Sequence, residues 1–270
     1  MSRAVPILKL PKPSLVHMFG EGRSLIELGM TGMFMPFLLR APKGDNHPVM
    51  VLPGFLASDA STKPIRTFLD LKGYQTYGWG LGRNLGTEIV GGKNVLSDAL
   101  LDRVIELALK HDKKVSLVGW SLGGILAREI ARLLPDHVRQ VITLGSPFNG
   151  PGGSVSLVTK LFGMINGDIV SKNPQVMVDM LTPPPVPTSA IYSRTDGVAH
   201  WQACMNTSID FADEAENIEV KGSHLGLGHN RQVLWIVANR LAQNEGEWLP
   251  YEQTPKKQPH TDGQQPGVQL

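Results

Sequence analysis

The sequence predicts an α/β domain with a mostly parallel central sheet flanked by helices. Three observations predict it. From residue 47 onward, short apolar runs alternate with segments of helical periodicity, the pattern of buried strands joined by crossover helices. The 270 residues, 41% of them hydrophobic, suit one larger domain better than two small ones. The glycine-rich stretch at 119–124 directly joins an apolar run to a helical pattern, giving a strand, a tight turn and a helix in succession.

The elements follow in order. Residues 49–52 read as a buried strand ending at Pro53-Gly54. Residues 63–71 place Ile65, Phe68 and Leu69 on one helical face, with Gly73 as a stop signal. A second strand at 75–79 runs into the glycine-rich turn 80–84. Residues 97–110 form an amphipathic helix with Leu101, Val104, Ile105 and Ala108 at core spacing. A strand at 115–118, a helix at 122–134 closed by Pro135, and a strand at 141–144 follow. Strands resume at 190–193 and 218–220, and a last helix spans 232–241.

Three stretches depart from this alternation. Residues 1–46 form an N-terminal segment without a secretory signal pattern. Within it, residues 25–39 are apolar but interrupted by Glu27 and Pro36, too short and broken to span a bilayer, so they pack on the core or touch a membrane surface. Residues 150–187 carry many glycines and a Pro183–Pro187 run with no alternation, which suggests a lid-like insertion in the domain at 47–250. Residues 251–270 are polar and rich in Pro and Gln, the composition of a disordered tail.

Charge and cysteine usage narrow the function. With 26 Lys and Arg against 24 Asp and Glu and no basic run, nucleic acid is not an expected partner. The single cysteine, Cys204, rules out an intrachain disulfide and suits a reducing compartment, so a cytoplasmic location, membrane-peripheral at most, is expected. Cys204 has no flanking motif of a nucleophile and reads as a packed thiol.

The chemistry centres on Gly119-Trp120-Ser121-Leu122-Gly123. A serine in a tight strand-to-helix turn is lifted clear of the sheet, and glycines two residues to either side avoid collision there. The helix N-terminus then faces a developing oxyanion. A serine hydroxyl needs a base and a group to orient that base. Downstream of such a serine the acid precedes the histidine. Asp196 ends the strand at 190–193, and His224 ends the strand at 218–220, so both fall where sites in parallel sheets are built. His229, His200 and His137 are the other downstream histidines; Asp210, Asp213, Asp168 and Asp179 are alternative acids. The amides of Leu122 and of Phe55, after Pro53-Gly54, are the candidate oxyanion donors. Trp120, Phe148, Met177, Met180 and Leu181 are candidate substrate-binding residues, the last three from the insertion. The His224/His229 pair lacks Cys or acidic ligands nearby, so neither a metal nor another cofactor is expected.

These motifs resemble those of bacterial lipases and esterases of the α/β-hydrolase superfamily over residues 47–241. The resemblance rests on Leu-Pro-Gly-Phe, Gly-Trp-Ser-Leu-Gly-Gly, Thr-Leu-Gly-Ser-Pro-Phe-Asn-Gly, Tyr-Ser-Arg-Thr-Asp-Gly-Val and Gly-Ser-His-Leu-Gly-Leu. Phe148 stands where many lipases carry His, and Pro53-Gly54 where many carry His-Gly. The resemblance implies an α/β-hydrolase fold and cleavage of small-molecule or lipid esters by Ser121, Asp196 and His224. An acyltransferase using the same acyl-enzyme and a non-catalytic binding protein on this fold are the alternatives.

Overall fold

Six strands run parallel in the order β2-β1-β3-β4-β5-β6 in the computed structural model, which describes residues 14–89, 96–149, 182–206 and 214–251. They are β1 (Pro48–Leu52), β2 (Gln75–Gly78), β3 (Val115–Trp120), β4 (Val138–Leu144), β5 (Thr188–Ser193) and β6 (Ala215–Val220). From β1 the chain goes outward to β2, then crosses back over β1 to β3. That reversal sets a topological switch point between β1 and β3, where carboxyl ends of strands open a crevice. The register aligns those ends, with Leu52 opposite Gly119 and Trp120 opposite Leu144.

Strand side chains alternate between faces, and the two cores follow from that. Val49, Val51, Val118 and Ile142 join Ile65, Phe68 and Leu69 of α4 (Lys63–Leu71) and Val233, Ile236 and Val237 of the last helix, α7 (Arg231–Leu241). Met50, Leu52, Leu117 and Val141 join Val104 and Leu107 of α5 (Asp98–His111) and Leu126 and Ile130 of α6 (Leu122–Leu133) on the other face. Local signals set the helix ends. Asn230 accepts hydrogen bonds from the amides of Gln232 and Val233 at 2.8 and 3.3 Å, capping α7. Gly73, at φ 91°, ends the α4 turn as the sequence suggests.

Three strands begin earlier than the apolar runs indicate: β4 at Val138, β5 at Thr188 and β6 at Ala215. Their first residues include Gln140, Ser189 and Glu216, which are buried polar groups. Ser189 Oγ donates to Glu216 at 2.6 Å and Arg240 of α7 donates to the same carboxylate at 3.1 Å, so polar partners replace apolar packing there.

The N-terminal segment forms α1 (Leu15–Phe19), a 3-10 turn (Gly20–Arg23), α2 (Ser24–Met33) and α3 (Met35–Leu38). Leu38 is buried, and Phe37 stacks on Trp235 of α7 at 4.7 Å. Phe19, Leu25, Ile26 and Met33 stay exposed, at 83, 76, 67 and 80%. Among the described residues, no helix is long and apolar enough to cross a membrane. The suggested insertion falls outside the described residues except for 182–187, as does the tail beyond Tyr251.

Candidate functional site

β3 ends at Trp120 and α6 begins at Leu122, so Ser121 alone makes the turn. Its backbone sits at φ 54°, ψ −119°, a left-handed conformation that costs a non-glycine residue about 1–3 kcal/mol. The surroundings hold it there. The Ser121 amide donates to the Leu144 carbonyl at 2.9 Å, and its carbonyl accepts from the Gly124 amide at 3.0 Å. A Cβ at Gly119 would overlap the backbone of Gly123 and Gly124, and one at Gly123 would overlap the carbonyl of Leu52 at the end of β1. Sheet and helix approach too closely for any side chain at these two positions.

Asp196 lies in the turn after β5. Its Oδ1 accepts from the amides of Val198 and Ala199 at 2.8 and 2.7 Å, which aims Oδ2 at His224 Nδ1, 2.6 Å away. Both side chains are buried. A carboxylate can only accept, so Nδ1 carries the proton, and in the neutral ring Nε2 is left with its lone pair. Burial pushes the His224 ring down, but the charge and hydrogen bond of Asp196, with the charge of Glu21, outweigh it, and the net shift is upward.

The end of β4 joins the serine to this pair. Leu144 accepts from the Ser121 amide, and a Cβ at the next residue, Gly145, would lie 3.1 Å from Asp196 Oδ2 and 3.2 Å from His224 Nδ1. Trp120 adds a second link, its indole N–H donating to the His224 carbonyl at 3.1 Å. Ser121 itself caps no amide of α6. Among the described residues the amides of Phe55 and Leu122 have no acceptor.

The remaining candidates fall into place around this core. His229 is engaged elsewhere, its Nε2–H donating to the Ser24 carbonyl at 2.9 Å. His200 lies beside Trp201, and burial lowers its pKa. His137 sits just before β4, at the opposite end of the sheet. Phe148 is buried under the Arg128 guanidinium, 3.8 Å from its ring centre. Burial raises the thiol pKa of Cys204 well above its ordinary value, with Asp196 adding to it. Met177, Met180, Leu181, Asp168, Asp179, Asp210 and Asp213 lie outside the described residues. Among the described residues, no cluster of three or more His, Cys, Asp or Glu could hold a metal ion.

Sequence reasoning missed two features. At the amino ends of β1 and β3, His47 contacts Asp45 through Nδ1 and Ser116 Oγ through Nε2 at 2.8 Å. This is an Asp–His–Ser chain, but Ser116 lies inside a strand and both His47 and Ser116 are 0% exposed, so no substrate reaches them. Burial is the main cause pushing the His47 pKa down, to about 4. It fastens strand ends rather than doing chemistry. The other feature is Glu21 and Glu27 of the N-terminal segment, which reach the loops carrying Asp196 and His224. The one signal was an acidic residue breaking an apolar stretch.

A family model described as the alpha/beta hydrolase fold matches residues 50–157. Among solved structures, the metagenome-derived lipolytic enzymes LipS and LipT are similar at 14% identity over 73% of this chain and 94% of that one, with a TM-score of 0.51. Est1E from Butyrivibrio proteoclasticus, solved with ferulic acid bound, is similar at 14% identity over 72% of this chain and 87% of that one, with a TM-score of 0.50. No curated protein matches the sequence significantly. The sheet, its flanking helices and these likenesses agree on the α/β-hydrolase fold.

Proposed function

We propose that this chain is a serine hydrolase that cleaves carboxylic esters through an acyl-enzyme on Ser121. The observation that carries the reading is a convergence at the carboxyl end of the sheet: a serine at φ 54° and a buried Asp196–His224 pair, joined across the end of β4. His224 Nε2 takes the Ser121 proton as Oγ attacks the ester carbonyl. The amides of Phe55 and Leu122 hold the oxyanion, and the imidazolium returns its proton to the leaving alcohol. Asp196 fixes the tautomer and stabilises the imidazolium. Water then repeats the sequence on the acyl-enzyme, and no cofactor takes part. Trp120, with Met177, Met180 and Leu181, would contact a hydrophobic acyl chain, whereas Phe148 is buried beneath Arg128 and would not. The exposed apolar side chains of α1 and α2 would rest on a lipid or ester aggregate.

The test is hydrolysis of p-nitrophenyl esters from acetate to palmitate, with fluorophosphonate labelling of the serine. Ser121→Ala should abolish labelling and lower kcat by several orders of magnitude while the chain stays folded. Turnover within a few-fold of the native chain would falsify the assignment. Transfer to an added alcohol in preference to water would favour an acyltransferase instead.

A further inference from the structure

Two carboxylates of the N-terminal segment enter the loops that carry the acid and the base. Glu21, buried in the 3-10 turn, accepts three backbone N–H bonds: Gly197 at 2.8 Å and His224 at 3.0 Å on Oε1, and Leu225 at 2.9 Å on Oε2. Gly197 follows Asp196 directly, so one carboxylate bridges the acid loop and the base itself. Glu27 takes the preceding residue, accepting from the Ser223 amide at 2.9 Å and the Ser223 hydroxyl at 3.0 Å. Arg23 sits between the loops, donating to Glu27 at 3.2 Å and to the Thr195 carbonyl at 2.7 Å.

The loops are shaped to receive this strap. A Cβ at Gly197 would overlap the backbone of His17 and Met18, and one at Gly226 would overlap the Glu27 carboxylate. Thr31 Oγ1 further donates to the His229 carbonyl at 2.5 Å, and the His229 ring donates to Ser24. The strap therefore ties down consecutive residues on both sides of His224, about two hundred positions away in sequence. Buried N–H groups must find acceptors. In an ordinary turn they would be met locally, whereas here the charged acceptors come from outside the loop. Charge-assisted bonds of this kind are roughly twice as strong as neutral ones.

We propose that Glu21 is a positioning residue, whose carboxylate locks the Asp196 and His224 loops into one unit and so sets the geometry of the Asp–His pair. Its kinetic consequence rests on the hydrolase reading; its structural consequence does not. The groups facing His224 are Asp196 from the loop after β5 with the buried Cys204 thiol beyond it, Glu21 from the strap, and the uncharged Trp120 from β3. Glu27, paired with Arg23, stands one residue away at Ser223. Glu21 and Asp196 are thus the two negative charges acting on the ring, and removing Glu21 moves the His224 titration downward.

The experiment compares the native chain with Glu21→Gln and Glu21→Ala. Two readouts need no activity: hydrogen exchange at the Gly197, His224 and Leu225 amides, and titration of the His224 ring by NMR. Exchange at the three amides should speed up at least about tenfold in Glu21→Ala, and less in Glu21→Gln, which keeps one acceptor oxygen. The ring midpoint should fall in both variants, since both lack the charge. On a soluble p-nitrophenyl ester, kcat should drop about 10- to 100-fold in Glu21→Ala with KM within about twofold, the pattern of misplaced reacting groups. Should Glu21→Ala fail to fold, Glu21→Gln decides by the same exchange and titration readouts. Unchanged exchange at the three amides together with an unchanged His224 midpoint would overturn the proposal. A native chain that neither hydrolyses esters nor labels at Ser121 would sink the hydrolase reading alone, because exchange and titration still report on the strap.

Discussion

His224 touches one carboxylate with its ring and another with its backbone amide, and this decides its titration. Burial alone would lower its pKa, but Asp196 and Glu21 raise it, so the ring stays protonated to a higher pH than a free histidine. A protonated ring cannot accept the Ser121 proton. On a soluble ester, kcat/KM should therefore rise with pH through a midpoint above 6.5, and a midpoint at or below 6 would count against this ring as the base. His224→Ala should lose several orders of magnitude in kcat, whereas His229→Ala should lose far less, because that ring serves the Ser24 carbonyl. His47 responds with the opposite sign. Its folded pKa lies near 4, below the unfolded value near 6.5, so its contribution to stability is full above 6.5 and lost as pH falls through 4. Urea unfolding at pH 7 and pH 5 should show a larger loss for the native chain than for His47→Gln; equal losses would refute this account. The candidates Ser121, Asp196 and His224 stand out in the sequence because each closely follows an apolar strand run, and Ser121 also precedes a helix. Glu21 does not, since its three partners lie about 175 to 205 positions away and nothing local marks them.

Among the elements, the turn from β3 into α6 is held by close backbone approach. Alanine normally favours a helix over glycine by about 1 kcal/mol. At Gly123 that gain meets the Leu52 carbonyl, a backbone atom that can yield only if the end of β1 moves. Overpacking of this kind costs about 1–3 kcal/mol, so the clash should win. Gly123→Ala should lower unfolding stability in urea by up to about 2 kcal/mol net and depress kcat, since β1 leads into the loop bearing Phe55. A stabilised variant would mean that β1 and α6 are not held so closely. Every described strand and the four helices flanking the sheet follow from the apolar pattern, because buried parallel strands must be nearly continuous in Val, Ile and Leu. The strands start two or three residues before the apolar runs, where Gln140 is buried and Ser189 and Glu216 are buried as a hydrogen-bonded pair. Hydrophobic periodicity cannot register burial that hydrogen bonds make tolerable.

Across the whole molecule, the N-terminal strap has two unlike faces. Glu21, Glu27 and Thr31 turn inward to the loops after β5 and β6 and meet hydrogen-bonding partners there. Turned outward are Phe19, Leu25, Ile26 and Met33, each more than half exposed. Both acidic side chains of this segment are thus withdrawn from the outer surface, which leaves it apolar beside the carboxyl ends of the strands, where substrate would enter. Exposed Leu or Ile side chains contribute about 1.5–3 kcal/mol each when fully buried, and less at an interface where burial is partial. Replacing Leu25 and Ile26 together with serine should therefore weaken binding to lipid vesicles by about tenfold or more. Turnover on an emulsified long-chain ester should fall with it, by a larger factor than turnover on a soluble short-chain ester. Both residues lie on α2 with their side chains in solvent, so the melting temperature should barely move. If vesicle binding and the ratio of the two turnover rates stay at native values, the outer face of the strap does not meet the substrate aggregate. The apolar stretch then serves only to carry Glu21 and Glu27 to the loops after β5 and β6.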